Sequence, residues 1–242
     1  KNNNMGMTVG VLGESGSGKT TSIVTNKDGT ISLDPQTLEW DMKTYSGLNQ
    51  KSTVLINSDK KPLPFADIFP SNNVIKTSDI DDINVILKRA SESTTIKSVV
   101  IDTINGVMLD REMLEAQKLT YDKWYDFARD IYALIVNISS LKPDLIVYLM
   151  GHISLYTNVD GNESRALVTN GKKLEKIKLE SKMSIVLFTH VDFVNGKASY
   201  SFETSSNRST AHTPYGMFND FLIPNSLSLV DERIRTYYKL QN

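Results

Sequence analysis

The chain has 242 residues, 40% of them apolar and 23% charged, with a formal net charge of −1. This suits one α/β domain with a substantial core, and it means that any nucleic-acid surface must be local or built by assembly. There is no cysteine, which excludes disulfides, thiolate nucleophiles and Cys-ligated zinc, and the three histidines, at 152, 190 and 212, are too scattered for a His-rich metal cluster. No apolar run is as long as a membrane span and the polar start Lys1-Asn2-Asn3-Asn4 has no signal-peptide character, so a cytoplasmic protein without membrane contact is expected.

The first predicted element is a short buried strand, Thr8 to Leu12. It runs into Gly13-Glu14-Ser15-Gly16-Ser17-Gly18-Lys19-Thr20, which satisfies G-x-x-x-x-G-K-[ST] at every fixed position. Glycines let successive backbone N–H groups turn inward on an anion, and a helix N-terminus adds its positive end. Lys19 places a point charge on the outer phosphates, and the Thr20 hydroxyl is a ligand for Mg²⁺. Gly13 through Thr21 is therefore the candidate nucleotide site, with ATP and Mg²⁺ as the expected cofactors.

A short helix is predicted from about Lys19, broken by Asn26-Lys27-Asp28-Gly29. Thr30 to Leu33 is a weak strand candidate within a polar excursion, residues 27–47, that carries Trp40 and Tyr45. Thr53 to Ile56 is a better core strand, followed by Asn57-Ser58-Asp59 and the proline-stiffened Lys61-Pro62-Leu63-Pro64-Phe65. Ser78 is the predicted cap of a helix whose acidic first turn suits the dipole and whose stripe is Ile80, Ile83, Ile86, Leu87 and Ala90. Ser98 to Thr103 is an apolar strand ending in Asp102. A long helix follows, with Trp124, Phe127, Ala128, Ile131, Leu134, Ile135 and Ile138 on one face. Leu145 to Met150 is another apolar strand, closing on Gly151-His152. Strands alternating with helices imply a parallel sheet covered on both sides. Residues 153–171 read as a mobile loop with turn signals at Asp160-Gly161 and Asn170-Gly171. Ser184–Phe193 and Ala198–Glu203 flank Asn195-Gly196, a strong hairpin signal, and Pro224-Asn225-Ser226 introduces a last helix.

Three further positions carry chemistry. Asp102, at the carboxyl end of its strand, is placed to hold Mg²⁺ through water beside Thr20. His152, ending the next strand, is a candidate sensor of the γ-phosphate. The water-activating acid is Asp59 if the strand after the phosphate loop is Thr53–Ile56; it is Asp34 or Glu39 if that strand is Thr30–Leu33, where Gln36 could also occupy the key place.

The order of these features, with Lys61-Pro62-Leu63-Pro64-Phe65, Gly171-Lys172-Lys173-Leu174-Glu175-Lys176-Ile177, Ile185-Val186-Leu187-Phe188-Thr189 and Thr213-Pro214-Tyr215-Gly216-Met217-Phe218, resembles the phage-encoded RecA-like P-loop ATPases (AAA_24 type), relatives of the RecA/RadA core and of single-strand annealing ATPases. The resemblance covers most of the chain. It implies a single RecA-like α/β domain over residues 1–242, with a mostly parallel sheet, a C-terminal antiparallel hairpin and an insertion at about 27–47. It further implies ATP hydrolysis, cytoplasmic action in a bacterial host, a homo-oligomeric ring or filament, and single-stranded DNA as partner in recombination or annealing. A phage single-strand-binding or replication protein is a further implied partner, and a nucleotide-switched loader is the alternative function. DNA contact is implied through Asn105–Tyr125, with Lys118, Tyr121, Lys123 and Trp124, and through Ile153–Lys173, with Tyr156, Arg165, Lys172 and Lys173. Arg208 matches the place of a cation acting across a subunit interface, with His212 just beyond.

Overall fold

The computed structural model describes residues 5–117, 123–157, 161–170 and 172–240. Its strands are β1 (Met7–Leu12), β2 (Thr53–Asn57), β3 (Val74–Ile75), β4 (Ser98–Asp102), β5 (Ile146–Gly151), β6 (Ile153–Thr157), β7 (Glu163–Leu167), β8 (Ile185–Val194), β9 (Lys197–Glu203) and β10 (Leu222–Pro224). The helices are α1 (Ile80–Glu92), α2 (Ile104–Ala116), α3 (Lys123–Asn137), α4 (Lys172–Ile177) and α5 (Leu227–Tyr238). Eight strands form one sheet in the order β10-β9-β8-β1-β5-β4-β2-β3. Pairing is parallel from β8 to β3 and antiparallel where β9 and β10 close the other edge. This is the mostly parallel, helix-flanked sheet with a C-terminal antiparallel hairpin that the resemblance implies.

The central strands are apolar on both sides because both faces are covered. On β5, Val147 and Leu149 face the helices α1, α2 and α3, while Ile146, Tyr148 and Met150 face α5. The other central strands repeat this alternation: Leu12, Ile56, Ile101 and Phe188 share the first face, and Val11, Leu55, Val100 and Leu187 the second. At the hairpin joining β8 to β9, Asn195 (φ 52°) and Gly196 (φ 75°) take the two left-handed positions that a type I′ turn demands.

Several sequence expectations are corrected. The helix after the phosphate loop is a single 3₁₀ turn, Thr21–Ile23. Thr20, Thr21, Ile23, Val24 and Thr25 are all β-branched, which disfavours helix before Asn26 ends it. Thr30–Leu33 forms no strand beyond a lone bridge from Leu33 to Trp40, so the core strand after the loop is β2. The cap of α1 is Asp79, which accepts from the backbone N–H groups of Asp81 and Asp82; the Ser78 hydroxyl donates to Asp110 instead. Within Asn105–Tyr125, the first stretch the resemblance implies for DNA contact, residues 105–116 belong to helix α2 and not to a DNA-binding loop; α2 is capped by Thr103, whose side chain accepts from Gly106 N–H. Residues 153–157 and 163–167 are the paired strands of a separate two-stranded sheet, not an irregular loop. Trp124 is 40% exposed and stands off the buried stripe of α3. Asp160, Lys118 and Tyr121 lie outside the described residues, as do the side chains of Lys123, Lys172 and Lys173; the backbone of Lys172 and Lys173 opens α4.

Candidate functional site

The parallel register aligns four carboxyl strand ends. Leu12 pairs with Gly151, while Asp102 lies between Met150 and Asn57. The chain leaving each end therefore meets the others, which is where open α/β sheets hold ligands. A cleft of about 520 Å³ opens there, lined by Gly16, Gly18, Lys19, Thr20, Thr21, Asp59, Lys61, Asp102, His152 and Tyr200, among others.

The phosphate loop is held in shape by short contacts. Gly16 (φ 76°) and Gly18 (φ 90°) take left-handed conformations that let the backbone curl. A Cβ on Gly13 would stand 1.7 Å from Thr189 Oγ1. That hydroxyl donates to Ser17 Oγ at 2.6 Å, and Ser17 Oγ donates to the Glu14 carbonyl at 2.6 Å. Asn225 Nδ2 donates to the Gly18 carbonyl at 3.2 Å, and Ser226 Oγ donates to the Thr25 carbonyl at 2.9 Å, so the start of α5 docks on the turn after the loop. Ser15, Gly16 and Thr21 are exposed at the cleft and Glu14 is exposed beside them, whereas Ser17 and Lys19 are buried.

Lys19 Nζ donates to the carbonyls of Gly13 (2.8 Å) and Glu14 (2.6 Å), inside the curve of its own loop. Burial lowers its pKa from 10.5 to about 8, against the opposing pull of Asp102, Asp59 and Glu14. Thr20 Oγ1 donates to Asp102 Oδ2 at 2.7 Å, joining the loop to the end of β4. Burial raises the Asp102 carboxyl above the ordinary range; the Thr20 hydrogen bond opposes this and the charge of Asp59 adds to it. This all-oxygen pair, with a second carboxylate near enough to repel it, suits a hard dication that keeps waters and shares phosphate oxygens. Among the described residues no cluster of three or more His, Cys, Asp or Glu could hold a metal unaided.

Asp59 Oδ1 accepts from Thr103 Oγ1 at 3.0 Å, and Asp59 Oδ2 is 3.6 Å from Lys61 Nζ. Asp34 and Glu39 lie exposed in the 27–47 excursion and do not line the cleft; the Asp34 carboxylate is held low by the backbone N–H groups of Thr37 and Gln36. His152 lines the cleft with its backbone N–H donating to Asn105 Oδ1 at 2.7 Å. Burial first, and Lys19 second, push its imidazole below the ordinary value, toward the neutral form.

The remaining candidates stand away from the cleft. Arg208 is exposed in a left-handed turn (φ 52°) whose carbonyl accepts from Arg165 N–H. Arg165 forms a two-pronged pair with buried Glu203, at 3.1 and 2.7 Å, donates to the Asn207 carbonyl at 3.0 Å, and lies 5.3 Å above the Phe188 ring. It clamps the β6–β7 hairpin to β9 rather than facing solvent as a loop cation. His212 is tied by its ring nitrogens to the carbonyls of Thr210 and Met183.

Sequence reasoning missed Thr189, Asn225, Tyr200 and Lys61. The first three come from the C-terminal third and reach the loop only because β8 pairs directly with β1. Lys61 adjoins Asp59 in sequence and could have been found from that spacing.

Fold and loop together define an α/β domain with a P-loop at the carboxyl ends of a mostly parallel sheet. No family model matches the sequence, and no curated protein matches it. Among solved structures, the chain is similar to the KaiC-like protein PH0186 from the hyperthermophilic archaeon Pyrococcus horikoshii OT3. That similarity has a TM-score of 0.44 at 12% identity, over 82% of this chain and 78% of the other.

Proposed function

We propose that this protein is a Mg²⁺-dependent ATPase that couples nucleotide turnover to single-stranded DNA. The observation that carries the ATPase reading is the convergence of Lys19, Thr20, Asp59, Asp102 and His152 on one cleft at the carboxyl ends of the sheet. Backbone N–H groups of the loop bind the β- and γ-phosphates, and Lys19 leaves the Gly13 and Glu14 carbonyls to follow them. Thr20 and Asp102 are the residues that would hold Mg²⁺, which would supply neutralisation of phosphate charge. Asp59 accepts the proton of the attacking water as its oxygen bonds to the γ-phosphorus, and the P–O bond to ADP breaks with its electron pair. Neutral His152 donates a hydrogen bond to the γ-phosphate and reports its presence through Asn105 to α2.

The DNA reading is supported by the resemblance to annealing ATPases and by the hairpin of β6 and β7 beside the cleft, with exposed Leu155 and with Tyr156 under Lys178 Nζ at 4.1 Å. Arg208, exposed and off the cleft, fits action on a neighbouring copy's site in a homo-oligomer. The commitment of Arg165 to Glu203 favours a second reading, a nucleotide-switched loader or adaptor, since it withdraws a cation from the hairpin. Hydrolysis measured with and without a salt-matched oligonucleotide decides between them. Acceleration that fades with rising salt supports DNA coupling; an unchanged rate with no binding supports the loader.

A further inference from the structure

We infer that Lys61 is the cation this chain itself supplies to the terminal phosphate, and that before nucleotide arrives it masks Asp59. The inference rests on the ATPase reading above. Two lysines precede Pro62-Leu63-Pro64, and the backbone treats them differently. Lys60 takes a left-handed conformation (φ 57°), and its Nζ turns away to Asp110 Oδ2 at 2.9 Å. Lys61 is anchored over the cleft: its carbonyl accepts from the buried Asn57 Nδ2 at 2.5 Å, and the following Pro62 restricts the backbone of Lys61 itself.

The side chain beyond that anchor is 78% exposed, with Nζ 3.6 Å from Asp59 Oδ2. Its charge is felt at both Asp102 and His152, behind the larger effect of burial on each. An exposed pair of this kind is worth little and exchanges readily. A lysine ammonium on a flexible stem can leave one carboxylate for a phosphate carrying more charge. Among the described residues lining the cleft, Lys19 and Lys61 are the cations. Lys19 rises from the loop below the phosphates, and Lys61 comes from the segment after β2, beside the proposed base. Moving Lys61 from Asp59 to a γ-phosphate oxygen does two things together. It neutralises charge on the transferred group, and it frees the carboxylate that accepts the water proton.

The test compares binding of ADP with that of the non-hydrolysable β,γ-imido analogue of ATP, on the full chain with Mg²⁺, alongside the hydrolysis rate. Lys61→Met should leave ADP affinity unchanged, weaken the analogue about tenfold, and lower kcat about a hundredfold. Lys61→Arg should restore the preference for the triphosphate, and Lys60→Met should behave as wild type. The side chain is exposed, so folding is not at stake. Wild-type discrimination and rate in Lys61→Met would overturn the assignment, and so would an equal loss of both nucleotides, which would make Lys61 a shaper of the loop. Failure of the wild-type protein to bind either nucleotide would instead bring down the ATPase reading itself.

Discussion

The pH dependence of nucleotide binding probes Lys19 directly. In the free protein its pKa is lowered to about 8, because burial in the loop disfavours the ammonium more than Asp102, Asp59 and Glu14 favour it. Bound phosphates bring several negative charges to the same place and push the value back up. Binding above pH 8 must therefore take up a proton, and affinity falls as pH rises. With a free-state value near 8, the ammonium fraction drops roughly tenfold between pH 7 and pH 9, and affinity should fall by about the same factor. Calorimetric titration with Mg-ATP analogue in two buffers of different ionisation enthalpy reads both the slope and the proton uptake. Lys19→Arg carries a fixed cation and should lose the slope, whatever its absolute affinity. The same shift acts on stability. The unfolded chain holds this proton up to about pH 10.5 and the folded chain only to about 8, so unfolding takes up a proton between those values and stability rises with pH there. After discounting for cleft water, the gain is about 2 kcal/mol. A flat affinity from pH 7 to 9, with no proton uptake, would refute this account of the buried lysine.

Three other predictions follow from contacts described above. Asp59→Asn should retain nucleotide binding and lower kcat by about 10²- to 10⁴-fold in a phosphate-release assay; an unchanged rate would remove Asp59 as the base. Gly13→Ala puts a carbon within 1.7 Å of Thr189 Oγ1 and should abolish analogue binding while lowering the melting temperature, whereas normal binding would mean the loop tolerates a shift the packing forbids. Arg165→Ala leaves buried Glu203 with only His190 Nδ1, 3.3 Å away, and should destabilise the fold by about 2–3 kcal/mol and open residues 161–170 to proteolysis; loss of DNA binding without either change would make it a DNA contact instead of a clamp.

Local chemistry was legible where one residue type was demanded by one conformation. The phosphate loop, the strand ending in Asp102 and the Asn195-Gly196 turn needed no knowledge of the rest of the fold. The better strand was legible too, since Val54-Leu55-Ile56 is a continuous apolar run and Thr30–Leu33 is not, and Thr53–Asn57 is the strand while Leu33 makes only a lone bridge. Ambiguity entered where neighbours compete for a role. Ser78 and Asp79 are both good caps, and Asp110, 31 positions beyond Asp79, takes the Ser78 hydroxyl. The β6–β7 hairpin escaped notice because its strands are short, polar on one side and separate from the main sheet. In α2 the stripe Ile104, Val107 and Met108 is interrupted by Glu115, which is buried against Arg111, so the helical period was obscured. Thr189 and Asn225 depend on strand order, which no local pattern encodes.

The most direct test is inorganic phosphate release from Mg-ATP by the wild-type chain and by Lys19→Ala, each checked for a native melting transition. Turnover by wild type and none by the folded variant is the predicted result. Equal turnover in both would contradict the claim that this loop binds and hydrolyses ATP.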